Sequence, residues 1–238
     1  MRNPLSKTIE QIKPSGIRKF FDIVSEMPHA ISLGVGEPDF DTPWHVRSEG
    51  IRSLEKGRTF YTSNSGLIEL RQEICKWYQR KYNVLYDYKT EALLTVGGSE
   101  GIDVALRAML DPGDEVIIPE PCYVSYVPCV QLIGAVPVTI ELKNENQFRL
   151  TPEELLAAIT DKTKILILAF PSNPTGAVMT KEDLEPIAKI CQEKDIYVIS
   201  DEIYSELTYG GQKHCSISSL PGMKDLSLIH ISEPTRRS

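Results

Sequence analysis

From residue 92 onward the chain alternates between short apolar runs and segments of helical periodicity. The runs fall at 92–96, 115–118, 136–140, 165–169 and 196–200, and the helix-like segments at about 99–110, 123–133, 152–160 and 180–194. Two runs, KILILAF and IYVIS, are unbroken rather than alternating. An unbroken apolar strand is one covered on both faces, as in a parallel sheet wrapped by helices. Such strands alternating with helices predict an α/β fold with a mostly parallel sheet and helices on both faces. In open sheets of this kind ligands bind at the carboxyl ends of the strands. Function is therefore to be sought there.

The boundaries carry their own signals. Thr151-Pro152-Glu153-Glu154 combines an N-cap, an N1 proline and an acidic first turn. Residues 1–14 are polar with Pro4 and Pro14 and read as an arm. Ser15 suits the N-cap of a helix with Ile17, Phe20, Phe21 and Val24 on one face. SLGVGEPDFDTP, residues 32–43, reads as a structured loop, after which Thr42 and Pro43 suit N-cap and N1 of another helix. From Gly66 a further helix is expected to pack through Leu67, Leu70, Ile74 and Trp77.

Composition excludes several classes. The formal net charge is −7 and the basic residues are scattered, which disfavours a nucleic-acid surface. Five cysteines without CxxC spacing fit reduced thiols rather than a disulfide framework. The four histidines lack zinc-ligand spacing, so no metal site is expected. No apolar run is long enough to span a bilayer, and the N-terminus lacks a signal-peptide core. The expected compartment is the cytoplasm, with no membrane partner.

Four strand ends hold candidate chemistry. TVGGSEGIDVAL places Gly97 and Gly98 in a tight turn, then Ser99 and Glu100 at a helix start whose N–H groups and dipole favour an anion such as phosphate. A plain glycine turn with a Ser N-cap explains the same residues. In PEPCYVSY, Tyr123 can offer its ring to a flat ligand or simply pack. In FPSNPTGAVMT, Asn173 is held extended by Pro174 and can present an amide. In YVISDEIYSEL, Asp201 stands at the mouth of an apolar strand with no Lys or Arg within six residues on either side. A buried carboxylate needs a cationic or hydrogen-bonding partner. Tyr204, three residues on, shares its face if the strand passes into a helical turn. The plainer alternative is that Asp201 and Glu202 cap a helix.

Taken together, SLGVGEPDFDTP, YTSNSGLIELR, TVGGSEGI, PCYVSY, PSNPTG and SDEIY resemble, in order, the class I/II aminotransferases of fold type I, which use pyridoxal 5′-phosphate. The resemblance covers roughly residues 15–225 and implies an incomplete fold type I large domain. It implies a phosphate turn at Gly98, Ser99 and Glu100, and Tyr123 stacked on the cofactor ring. Asn173 and Tyr204 would bond the ring oxygen, and Asp201 would pair with the protonated ring nitrogen. Tyr61 would reach the phosphate of the neighbouring subunit of a homodimer. Gly36 would lie near the substrate carboxylate. The implied reaction moves an amino group from an amino acid to a 2-oxo acid. Related chemistries remain open, namely a C–S β-lyase or similar enzyme and, in another class, a non-catalytic cofactor-binding protein.

The family's cofactor-holding lysine lies in a Ser-Lys motif after the aspartate. Here Lys213 and Lys224 follow Asp201, and neither has that motif. No residue is therefore assigned as catalytic. The expected division is 1–45 as N-terminal arm and small-domain segment, 46–226 as partial cofactor-binding domain, and 227–238, SLIHISEPTRRS, as a foreign or non-native tail. The chain is accordingly read as an inactive N-terminal fragment. The run at 92–96 would lack its usual neighbours and leave sheet edges exposed.

Overall fold

The computed structural model describes residues 2–12, 23, 26, 27, 29 and 41–231. The chain divides into two units, one within residues 1–60 and one over 61–232. The expected helix after Ser15, and most of the loop at 32–43 including Gly36, lie outside the described residues.

The first unit holds α1 (Lys7–Gln11), capped by Ser6, which accepts a hydrogen bond from the Ile9 amide at 3.3 Å. It also holds α2 (Trp44–Glu55), which begins one residue later than the sequence suggests. Pro43 takes the N-cap position itself, and its carbonyl accepts from the amides of Val46 and Arg47. Arg47 pairs with Asp41 at 3.1 Å on the surface.

The second unit begins with α3 (Ile68–Tyr82). Its buried residues are Arg71, Cys75 and Tyr78, one position round from the predicted stripe. Leu67 and Leu70 are exposed instead. A polar partner fixes this choice, because the Tyr78 hydroxyl reaches a buried carboxylate described below.

The remainder builds a five-stranded sheet. In chain order it comprises α4 (Gly98–Met109), β1 (Glu115–Glu120), α5 (Tyr126–Ile133), β2 (Val136–Glu141), α6 (Pro152–Ala158), β3 (Thr163–Ala169), α7 (Lys181–Lys194), β4 (Tyr197–Asp201) and β5 (Ser227–His230). The strand order is β2-β1-β3-β4-β5, and every pairing is parallel. Both α6 and α7 open with a capping box. The Thr151 hydroxyl accepts from the Glu154 amide while Glu154 accepts from the Thr151 amide, and Thr180 and Asp183 repeat the arrangement.

Each central strand feeds two cores. Ile165 and Ile167 join Ile102 and Leu106 of α4 and Tyr126 and Val130 of α5. Leu166 and Leu168 join Leu155 of α6 and Leu184, Ile187 and Cys191 of α7. Helices on both faces are thus written into successive residues of one strand, since side chains alternate across it. Full burial of each such side chain contributes about 1.5–3 kcal/mol of transfer free energy.

One expectation changes, and one segment gains a strand. Residues 92–96 form no strand; the Leu94 amide donates to the Ser65 carbonyl at 3.2 Å instead. A strand is defined by its ladder partner, and this apolar run has none among the described residues. Conversely, the SLIH of the segment read as a foreign tail forms β5, with Asp201 opposite His230.

Candidate functional site

Because the sheet is parallel, the carboxyl ends of β1, β3, β4 and β5 share one edge. Tyr123 follows β1, Asn173 follows β3, Asp201 closes β4 and His230 closes β5. Asp201 lies at the centre and is only 6% exposed. Its Oδ2 accepts a 2.7 Å hydrogen bond from the Tyr126 hydroxyl. Its Oδ1 lies 2.8 Å from His230 Nδ1 and accepts from the Ile203 amide at 3.2 Å. Burial, and then the Asp201 charge, push the Tyr126 phenol well above its ordinary pKa, so it stays protonated and donates.

The contacts continue around a loop. The Tyr126 and Tyr123 rings meet edge to face at 5.7 Å. The Tyr123 hydroxyl lies 3.4 Å from Ser99 Oγ. Ser99 sits in the first turn of α4, whose N-cap Gly97 has φ 85°, a conformation that favours glycine. Next to it, a Cβ placed on Gly98 would fall on the His230 ring. Gly98, Ser99, Tyr123 and Asp201, which the sequence singles out separately, are therefore brought together. Glu100 bends back so that its carboxylate accepts from the Val96 amide, turning that negative charge onto its own loop. Tyr123 keeps 37% of its surface exposed, so one part of the ring is open beside Asp201's neighbours.

Asn173 is exposed and Tyr204 half-buried, each just past its strand end. Neither is among the residues that close this loop. Tyr61 is fully exposed, at 105%, at the start of the second unit.

Sequence reasoning missed three features. Tyr126 was within reach, since it stands three residues beyond Tyr123 in the quoted PCYVSY, the spacing of one helix face. His230 was set aside with its segment. The third is a buried cluster around Glu202, which is 1% exposed. Its Oε1 accepts from Ser200 Oγ at 3.1 Å and Ser216 Oγ at 2.7 Å. Its Oε2 accepts from the Tyr78 hydroxyl at 3.3 Å and lies 3.1 Å from His214 Nε2. Tyr78 also bonds Ser216 and, at 3.1 Å, Ser218. Glu202 caps no helix. It ties the end of β4 to α3 and to the 214–218 segment.

A parallel sheet wrapped by helices, with a glycine-led helix start, a partly exposed tyrosine and a buried carboxylate at the carboxyl ends of its strands, defines an open α/β fold with its candidate site at the strand ends. Residues 28–232 match the family described as Aminotransferase class I and II. The chain belongs to that family. It is 48% identical over 229 residues to the Bacillus subtilis (strain 168) protein YugH, covering 96% of this chain and 59% of that one. It is 44% identical to the aromatic-amino-acid aminotransferase 2 of Thermococcus litoralis, covering 92% and 56%. Among solved structures, the aspartate aminotransferase from Thermus thermophilus with maleate superposes with a TM-score of 0.89 at 38% identity, covering 96% and 60%. The chain thus spans a little under three fifths of the length of these relatives. Among the described residues, no helix is long and apolar enough to cross a membrane, and no group of three His, Cys, Asp or Glu is placed to hold a metal.

Proposed function

We propose that this chain carries the cofactor-recognition half of a pyridoxal 5′-phosphate-dependent aminotransferase, which moves an amino group from an amino acid to a 2-oxo acid. Asp201 carries the reading. A buried carboxylate at a ligand-facing strand end, braced on one oxygen by a phenol, suits a protonated ring nitrogen. When bound, that cofactor supplies an electron sink for a carbanion at the amino-acid α-carbon.

The residues present fit the group. Asp201 favours the protonated ring nitrogen, because an ionised carboxylate in contact stabilises a cation. Tyr126 holds the carboxylate in place. The α4 N-terminus, with Gly98, Ser99 and the backbone of Glu100, suits the phosphate. Turning the Glu100 side chain onto Val96 lessens like-charge repulsion there. Tyr123 suits ring stacking, and Asn173 and Tyr204 the ring oxygen. Tyr61 is assigned to the phosphate of a neighbouring subunit and Gly36 to the substrate carboxylate. The exposed Tyr61, Leu67 and Leu70 favour a homodimer. The proposed compartment is the cytoplasm. Named relatives at similar identity act, by their names, on aromatic amino acids or aspartate, so the substrate is proposed only as an amino acid.

The test is a titration of the 238-residue chain with pyridoxal 5′-phosphate, followed by quenching of Tyr and Trp fluorescence. Asp201→Ala is expected to weaken binding by about tenfold or more, the loss expected for a charged hydrogen-bonding partner. Equal affinity in wild type and variant would overturn the assignment. Since no Ser-Lys follows Asp201, no 2-oxo acid is expected from the cofactor and an amino acid with this chain alone.

A further inference from the structure

We infer that His230 is an internal occupant of the cofactor position, so that β5 and pyridoxal 5′-phosphate compete for Asp201. This rests on the assignment of Asp201 to the ring nitrogen. Strand pairing and the ring's own contacts place the imidazole. Parallel pairing sets His230 opposite Asp201. The Glu202 amide donates to the His230 carbonyl at 2.9 Å, which fixes the backbone. The ring then spans from Asp201 Oδ1, at 2.8 Å from Nδ1, to Gly98 at the start of α4.

That span runs from the carboxylate to a helix N-terminus. The functional reading gives that carboxylate to a ring nitrogen and that helix N-terminus to a phosphate. The imidazole is a flat nitrogen heterocycle, and it meets Asp201 as a pyridine nitrogen would. Its side chain is 13% exposed, so the space it fills is enclosed rather than open to solvent. Oδ2 is engaged by Tyr126, and Oδ1 also accepts from the Ile203 amide. Two rings cannot both occupy the remaining approach to Oδ1. Binding of the cofactor therefore requires the His230 ring to leave, and the apparent affinity is lowered by the fraction of molecules in which it is seated.

The experiment titrates pyridoxal 5′-phosphate into the full chain and into His230→Ala, His230→Gln and Asp201→Asn, with fluorescence quenching as readout and a thermal melt as the folding control. His230→Ala is expected to bind about tenfold more tightly, as expected for release of one hydrogen bond to a charged group. His230→Gln, which keeps a donor, is expected to fall between. In parallel, NMR of wild-type chain with labelled histidine rings should show the His230 signals shift on adding the cofactor. Binding that depends on Asp201 yet is no tighter in His230→Ala overturns the competition and leaves the functional reading standing. Binding indifferent to Asp201→Asn overturns both. If His230→Ala does not fold, the ring signals decide: unmoved His230 signals at saturating cofactor overturn the inference.

Discussion

Truncating Glu202 tests whether one buried carboxylate joins three parts of the second unit. In Glu202→Ala, hydroxyls of Ser200, Ser216 and Tyr78 lose an acceptor, and His214 loses the carboxylate 3.1 Å from its Nε2. Each buried donor left without its acceptor costs about 1–3 kcal/mol. The low end applies here, because Tyr78, Ser216 and Ser218 still hydrogen-bond one another. Over the three hydroxyls the loss is then about 3 kcal/mol, a large share of the roughly 5–15 kcal/mol that holds a domain together. In urea, with a slope of about 2 kcal/mol per molar, the unfolding midpoint should fall by about 1.5 M. Equilibrium urea unfolding followed by Trp fluorescence and far-ultraviolet circular dichroism reads this directly. The effect should shrink in a His214→Ala background, because the two groups share an interaction. A midpoint shift below about 0.3 M with an unchanged slope, as expected of a surface substitution, refutes the argument.

Three further outcomes are expected. Thr151→Ala removes the hydroxyl half of the α6 capping box and should cost about 1 kcal/mol in the same denaturation experiment; an unchanged midpoint counts against the cap. Burial pushes the Cys191 thiol up to about 12, so it should resist a thiol-specific disulfide reagent at pH 8 until the chain unfolds. Cys122 is pushed up to about 11, by burial first and then by the Glu120 charge. Its folded value lies above the ordinary 9.0, so the unfolded state releases its proton first and stability should decline as pH rises from 9 toward 11. A Cys122→Ser variant should show a smaller alkaline decline, the raised Cys191 thiol still contributing its part; a decline of the same size in both chains removes Cys122 as a cause.

What could be read from the sequence was what local pattern determines. Four of the five apolar runs became β1 to β4, and the Thr-Pro-Glu-Glu start became a helix with its cap closed, because hydrophobicity and capping act within a few residues. What could not be read depends on distant partners. Residues 92–96 have as apolar a composition as the strands, yet they lack a ladder to join, while SLIH gains one from β4. The face of α3 turned on a hydroxyl meeting a carboxylate 124 positions away. At the site, Asp201 was recognisable as a buried charge in need of partners. Which partners it meets, Tyr126 and His230, follows only from strand order and register.

The two adjacent acids at the end of β4 also bear on how the sheet is aligned. Ser200 and Glu202 turn to one layer, whereas Asp201 turns to Tyr126 in the other. Sliding β4 by one residue would exchange the two layers' carboxylates. Asp201 would meet the cluster built for Glu202, and Glu202 would crowd the phenol and imidazole. The penalty for misalignment is thus electrostatic as well as hydrophobic, and the acid pair works as a proofreading device for strand pairing at the place where ligand chemistry is proposed.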